Sequence, residues 1–179
     1  DFGAVISQLL QGVIDIDAIR FLQQLSSASV SDAQVDNVRR MLLAMVEDVR
    51  AVVIKLAERI ACLREVKNAN EETRVLVAKE ISNIYAPLAN RLGIGQLKWE
   101  LEDLSFRYLH PDTYKQIAKL LDEKRLDRER YIQRFVTDTK TALQEAGIDA
   151  EVYGRPKHIY SIWRKMQKKN LNFSDLYDV

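Results

Sequence analysis

Residues 49–63 read VRAVVIKLAERIACL, and their apolar side chains recur with the period of an α-helix. The positions that repeat at spacings of four, three, four and three are Val49, Val53, Leu56, Ile60 and Leu63. This spacing places the apolar side chains on one stripe of a helix and leaves the charged ones outside it. The stretch therefore predicts an amphipathic helix and, with it, a helical core.

Downstream segments repeat this rhythm. A second stripe consists of Val77, Ile81, Tyr85, Leu88 and Leu92. It stops before Gly93, where a C-cap glycine belongs, and Pro87 within it predicts a kink. A third stripe consists of Leu97, Leu101, Leu104 and Tyr108. His110 and Pro111 predict a break after it, and residues 112–146 continue as highly charged helix. Consecutive amphipathic helices predict a bundle.

The first 48 residues carry weaker signals. Short helices are expected over Val5–Gln11 and Ala18–Leu25, a Ser-rich loop over residues 26–32, and a further helix over Asp36–Met45. The start has no basic segment ahead of its apolar residues, so no export signal is expected.

The pattern changes after Gly147. Residues 148–153 alternate apolar and polar side chains, which predicts a β-strand ending in a turn at Gly154. A helix is then expected with Pro156 as its first residue, where the missing N–H of proline costs nothing. The predicted fold is mostly α, leading into an α/β domain of which the chain, expected to be a fragment, holds only the beginning.

Charge is segregated in this last part of the chain. Between Val152 and Phe173 there are six Lys or Arg and no Asp or Glu, although the whole chain has a net charge of only +1. On the predicted helix the cationic and hydroxyl face consists of Lys157, Ser161, Arg164, Lys165 and Lys168. The opposite, apolar face consists of Ile159, Ile162, Trp163 and Met166. A solvated basic face is the simpler interpretation, but a surface that served solubility alone would interleave acids.

Three features favour a phosphate site instead. Arg155 precedes the helix N-terminus, where backbone N–H groups and the macrodipole attract anions. Ser161 lies among the lysines, and Asp178 follows on a strand-like run, Leu176–Val179, where a carboxylate could hold Mg²⁺. Such a site suits a nucleotide.

Composition narrows the classes of protein. With 47% apolar and 30% charged residues the chain is globular, and its near-zero net charge argues against a general polyanion-binding surface. No apolar run approaches the roughly 20 residues of a membrane span. The single cysteine, Cys62, lies in a helical pattern and fits a reducing compartment. The protein is expected to be cytoplasmic, with no membrane partner.

Long stretches resemble one known family. YGRPKHIYSIWRKM (153–166) with DLYDV (175–179) is similar to the synthetase domain of the RelA/SpoT alarmone synthetases. KLAERIACLREV (55–66) and EISNIYAPLANRLGIGQLKWELEDLSFRYLHP (80–111) extend the resemblance upstream. It implies pyrophosphate transfer from ATP to the 3′-hydroxyl of GTP or GDP with Mg²⁺. It also implies ribosome and uncharged-tRNA partners, through C-terminal regions absent from this chain.

Roles follow from the resemblance residue by residue. Arg155 is implied to contact ATP, by stacking on adenine, and Lys157, Ser161 and Lys165 to lie along the phosphates, with His158 in the same motif. Asp178 is implied to bind Mg²⁺, and with Lys165 to serve catalysis. The second acidic metal ligand and the guanine-stacking tyrosine fall beyond Val179, so this chain alone is expected to be inactive.

The helical part resembles a degenerate HD-type hydrolase. Active relatives carry Asp at the position of Glu58 and a His-Asn pair at Ala61 and Cys62, and the chain has only two histidines, His110 and His158. A methyl and a thiol cannot replace imidazole and amide, so no hydrolase activity and no Mn²⁺ are expected. The pattern is closest to the synthesis-only branch of the family.

Three domains are expected. Residues 1–90 are expected to form the degenerate hydrolase domain, acting as a regulatory scaffold, residues 91–147 the connecting helices, and residues 148–179 the start of the synthetase.

Three alternative functions stay open. The cationic face could be a patch for ribosomal RNA or tRNA, the helical region could be an active phosphohydrolase with an unusual metal site, or its inactive pocket could bind an effector nucleotide.

Overall fold

The computed structural model describes residues 3–24 and 48–176, and helix dominates them. The helices are α1 (Ala4–Gln24), α2 (Val49–Glu65), α3 (Glu71–Glu80), α4 (Ala86–Arg91), α5 (Gly95–Leu109), α6 (Pro111–Glu123), α7 (Arg125–Glu145) and α8 (Ile159–Lys169). Short 3₁₀ turns cover Val66–Asn68 and Phe173–Asp175, and a π turn covers Ile81–Tyr85. The chain forms two compact units, Asp1–Leu109 and His110–Val179. The mostly-α prediction is confirmed.

Within the described ranges, no helix is both long and apolar enough to cross a membrane.

In the first unit α2 packs against α1 and α5, and α3 and α4 pack against α5. Its core consists of Ile16, Val52, Leu56, Ile60, Leu63, Ala78, Ile81, Tyr85, Ala86, Leu88, Ala89 and Leu101. Tyr108 of α5 donates a hydrogen bond to the backbone carbonyl of Leu63 at 2.9 Å, and this ties α5 to the end of α2. Asn70 caps the start of α3 by accepting the N–H of Thr73.

The predicted stripe on α2 is correct only in its second half. Leu56, Ile60 and Leu63 are buried, but Val49 and Val53 are 56% and 37% exposed. Ala51 and Val52 are buried in their place. The reason is the close approach of α1, because a Cβ added at Gly12 would lie 2.9 Å from the Cβ of Ala51. The neighbouring helix, not the local period, selects the buried face here.

The irregularity predicted at Pro87 is a π turn that directly precedes it. The N–H of Ala86 bonds to the carbonyl of Ile81, five residues back, so the helix widens before the residue that lacks a donor. The helix then ends as predicted at Gly93, whose φ of +72° suits glycine. The predicted break at His110 and Pro111 is also confirmed, since Pro111 begins α6.

The two short helices expected near the start are one continuous helix, α1, through Gln24. The polar residues between them do not interrupt the helix: Asp15 accepts a hydrogen bond from Gln11, and Asp17 lies 2.6 Å from the Lys55 ammonium. The Ser-rich loop over residues 26–32 and the helix over Asp36–Met45 lie outside the described residues.

The second unit is built on a small core between α6 and α8. Its buried residues are Ile117, Leu121, Ile162, Phe173 and Leu176. Lys124 lies over the ring of Phe173, with its ammonium 5.6 Å from the centroid.

Two predictions for residues 148–158 are wrong. Residues 148–153 form no strand, because a strand needs a neighbour to pair with and none exists among the residues described here. The helix starts at Ile159 rather than Pro156, with His158 as an extended N-cap (φ −70°, ψ 151°). The apolar face that can pack on α6 begins only at Ile159, so burial sets the helix start.

Candidate nucleotide-binding site

Helix α8 is held by its apolar face, as predicted. Ile162 is 1% exposed and packs with Ile117 and Leu121 of α6. Trp163 lies against the same core, with its ring centroid 5.2 Å from that of His110. This anchoring fixes the rotation of α8 about its axis and thereby determines which side chains reach the surface.

The predicted cationic side chains lie on the other side of α8. Arg164 and Lys168 are exposed, whereas Ser161 and Lys165, one turn apart, are half-buried beside the docked face. No acidic residue interrupts this part of the sequence. The structure thus brings Ser161 and Lys165 together on one flank of the helix.

Arg155 and Lys157 precede the helix in extended backbone, and both are exposed. His158, half-buried, is the N-cap, and its carbonyl accepts the N–H of Ile162 at 3.1 Å. The side chain of His158 makes no capping hydrogen bond to α8. The positive end of α8 therefore adds to the charge of Arg155 and Lys157, which favours an anion in this region.

Gly154, which the sequence predicts as a turn glycine, instead allows the backbone to approach α7 closely. Its φ is not positive, but a Cβ added to it would lie 2.6 Å from Cγ2 of Ile132 and 3.2 Å from Cγ2 of Val136. The extended segment therefore passes directly over α7, and only glycine allows that approach. Ile132 and Val136 thus help to position Arg155, and a lone glycine in a strand-like pattern was the available signal.

Asp178 lies outside the described residues. The neighbouring carboxylate Asp175 is engaged locally. It accepts the N–H of Asn172 at 3.0 Å and closes a capping box on the 3₁₀ turn.

The positions expected to be degenerate in the helical unit lie on α2. Glu58 accepts hydrogen bonds from the Lys55 ammonium and the Arg59 guanidinium. Burial by itself raises the pKa of Glu58, but these two hydrogen bonds outweigh it and hold that pKa below its usual value. Lys55 and Arg59 are both buried. The carboxylate is therefore neutralised by side chains of its own helix.

A metal ion does not fit this arrangement. Ala61 is exposed and has no donor atom, and Cys62 is half-buried. The described part of the chain contains no group of three or more His, Cys, Asp or Glu side chains arranged to hold a metal. With two cations on Glu58, a divalent ion would meet repulsion rather than ligands.

Comparison with known families finds one match to the first half of the chain. The model of the HD domain matches residues 1–95. This range covers α1 to α4 and therefore the whole Lys55–Glu58–Arg59 group.

Curated relatives match the chain along its whole length. It is 68% identical over 177 residues to a GTP pyrophosphokinase of Escherichia coli K12, covering 99% of this chain and 24% of the relative. A GTP pyrophosphokinase of Haemophilus influenzae is 65% identical, with 99% and 24% covered. In the same organism, a guanosine-3′,5′-bis(diphosphate) 3′-pyrophosphohydrolase is 41% identical, with 100% and 26% covered. The chain thus spans about a quarter of the relatives' length.

Proposed function

The chain belongs to the HD domain family and is similar to GTP pyrophosphokinases, and we propose that its parent protein makes (p)ppGpp in the stringent response. In this reaction the 3′-hydroxyl of GTP or GDP attacks the β-phosphorus of ATP, pyrophosphate is transferred, and AMP leaves. The resemblance to RelA/SpoT alarmone synthetases is confirmed by these relatives. The higher identity to the kinases than to the hydrolase favours synthesis.

The observation that carries the proposal is the run of six Lys or Arg without an acid between Val152 and Phe173, in α8 and the segments that flank it. The apolar side of α8 is docked, and this fixes Ser161 and Lys165, which are half-buried beside that side, on one flank of the helix. We assign Lys157, Ser161 and Lys165 to the phosphates, because ammonium and hydroxyl donors stabilise the charge of a transferring phosphoryl group. Arg155 would stack on adenine with its planar guanidinium.

The catalytic step needs Mg²⁺ to neutralise the phosphates, and we assign Asp178 as one of its ligands. His158 belongs to the nucleotide-binding segment as the N-cap of α8. The remaining metal ligand and the guanine site would come from other parts of the parent protein. The 179 residues alone are therefore proposed to lack activity.

For the first compact unit, which contains the HD domain, we propose the role of a regulatory scaffold without hydrolase activity and without Mn²⁺. The pairing of Glu58 with Lys55 and Arg59 supports this proposal. We propose residues 1–90, 91–147 and 148–179 as the functional divisions of the chain. The boundary between its two compact units lies between Leu109 and His110. Ribosome and uncharged-tRNA contacts are assigned to other parts of the parent protein, and its location to the cytoplasm.

A synthesis assay on the full-length parent tests the metal assignment. Asp178→Gly is compared with the wild type in the presence of ATP, GTP and Mg²⁺, with folding checked by circular dichroism. We expect loss of product with retained folding, because a carboxylate ligand of Mg²⁺ is removed. Full retention of synthesis would remove Asp178 from the site.

A second candidate function, a nucleic-acid surface, is favoured by the same cationic side chains. Titration calorimetry of the 179-residue chain at two salt concentrations separates the two. A nucleic-acid surface binds RNA with affinity that falls steeply with salt and ignores Mg-ATP. The nucleotide site binds Mg-ATP, and Arg155→Ala or Lys157→Ala weakens this binding.

A further inference from the structure

Lys55 is a buried cation that joins two helices of the first unit. Its side chain is only 2% exposed, and its ammonium lies 2.6 Å from Oδ1 of Asp17 on α1. The same nitrogen donates to Oε2 of Glu58, one turn along α2. The contact with Asp17 is an ion pair whose angles do not suit a hydrogen bond, whereas Glu58 accepts a hydrogen bond from the ammonium. One ammonium thus bridges α1 and α2.

Arg59 completes the group on the other side of Glu58. Its Nη2 donates to Oε1, so both carboxylate oxygens are engaged by cations. Its guanidinium lies over the ring of Tyr85, the last residue of the π turn, 5.8 Å from the centroid. The side chain is 8% exposed, and its Nε is buried without a hydrogen-bond partner in the described structure. The positive side of this group is therefore the buried side.

We propose that Lys55 serves this unit as an internal cation: it holds α1 against α2, saturates Glu58, and makes the fold independent of a divalent metal ion. This disagrees with the metal site that the resemblance to HD-type hydrolases implies for active relatives. The proposal concerns only the helical unit and does not depend on the synthetase assignment.

Burial makes the energetics of the group asymmetric. The side chains of Asp17 and Glu58 are 45% and 44% exposed, so water still reaches part of each carboxylate if Lys55 is absent. Lys55 has no such access, and loss of both acids would leave a buried charge without compensation. Removing the acids is therefore more damaging than removing the cation, and removing all three is milder than removing the acids.

Melting temperatures of the 179-residue chain test this order. The variants are Lys55→Met, the acid pair Asp17→Asn with Glu58→Gln, and the triple combination. We expect the acid-pair variant to melt lowest, about 5 °C or more below the wild type, and Lys55→Met in that background to recover most of the loss. If Lys55→Met lowers the acid-pair variant further, the bridging role is overturned.

Arg64→Met is the matched control. It removes a cation that also joins two helices of the same unit, but the Arg64 side chain is 64% exposed and that of its partner Glu100 is 34% exposed. We expect a small shift, because water solvates both partners there. An acid-pair variant that melts no lower than Arg64→Met would overturn the proposal.

Titration with Mn²⁺ is a second test, because replacing a lysine that only contributes packing would not change the response of the melting temperature to Mn²⁺. Without Lys55, Asp17 and Glu58 form a partly solvated carboxylate pair, which attracts a divalent cation. We expect Mn²⁺ to raise the melting temperature of Lys55→Met while leaving the wild type and the triple variant unchanged. A rise in the wild type, or none in Lys55→Met, contradicts the proposal.

Discussion

The two units use the same charged residue types in opposite ways. In the first unit Lys55 and Arg59 are buried and matched to Glu58. In the second, six Lys or Arg occur between Val152 and Phe173 without a single acid, and Arg164 and Lys168 are exposed. A buried cation requires a partner because desolvation is costly, whereas an exposed one does not. The second set is therefore the one to which we assign an anionic ligand.

The comparison also explains why a charged helix is a poor guide to function by itself. Lys55 lies in an amphipathic segment just as Lys165 does, yet its ammonium is committed to the interior. The difference is that Lys55 is buried beside two acids, Asp17 on α1 and Glu58 on α2.

Charge reversal on the outward surface should have the largest effect. In the full-length parent, Lys157→Glu with Lys165→Glu places two carboxylates where phosphates are proposed to lie. Synthesis from ATP and GTP should fall about 100-fold or more, since electrostatic stabilisation of phosphoryl transfer is lost. The control is Lys119→Glu on the exposed side of α6. Normal synthesis by the double variant would end the assignment of this surface to nucleotide.

Truncation of the docked face should have the next largest effect. Ile162→Ala removes a side chain that is 1% exposed and should lower the free energy of unfolding of the second unit by about 2–4 kcal/mol. Urea unfolding followed by Trp163 fluorescence, in a Trp99→Phe background, reports on this unit. Ile148→Ala, at a residue 51% exposed, should change stability little. Equal effects would mean that α8 is not anchored through Ile162.

A methyl group at Gly154 should disturb the segment that carries Arg155. Gly154→Ala meets Ile132 at 2.6 Å and should cost about 1–3 kcal/mol of unfolding free energy. It should also weaken Mg-ATP binding, measured by calorimetry. Ile132→Ala removes the clashing Cγ2, so the double variant should recover part of the loss. An additive decrease in the double variant would contradict the close approach.

Acid should weaken the paired group slightly. Burial raises the pKa of Glu58, but Lys55 and Arg59 hold it below its usual value near 4.5, so the carboxylate's contribution is complete above that pH. It is lost as pH falls through the lower folded pKa. Because the Glu58 side chain is 44% exposed, we expect the free energy of unfolding to fall by less than about 1 kcal/mol.

Urea unfolding between pH 6 and pH 3 measures this dependence. Glu58→Gln should flatten the profile, whereas Glu65→Gln, at an exposed residue at the end of α2, should leave its shape unchanged. A Glu58→Gln profile that still follows the wild type would show that the carboxylate is not engaged by the two cations.

Much of the helical fold was predictable because its signals are local. The period of α5, the glycine end at Gly93 and the break before Pro111 each depend on residues within a turn or two. The two faces of α8 were predictable for the same reason. The strand over residues 148–153 was wrong because strand formation needs a second segment, and local alternation does not supply one.

Local sequence was enough to predict most of the helices, the apolar face of α8 and the part of the chain that lacks acids. It was not enough to predict that Val52 rather than Val53 is buried, that Gly154 passes over α7 or that Lys55 lies between two acids. These features depend on contacts between segments that are distant in the sequence. Helical periodicity and charge are properties of neighbouring residues, whereas burial and pairing depend on which distant segment packs against them.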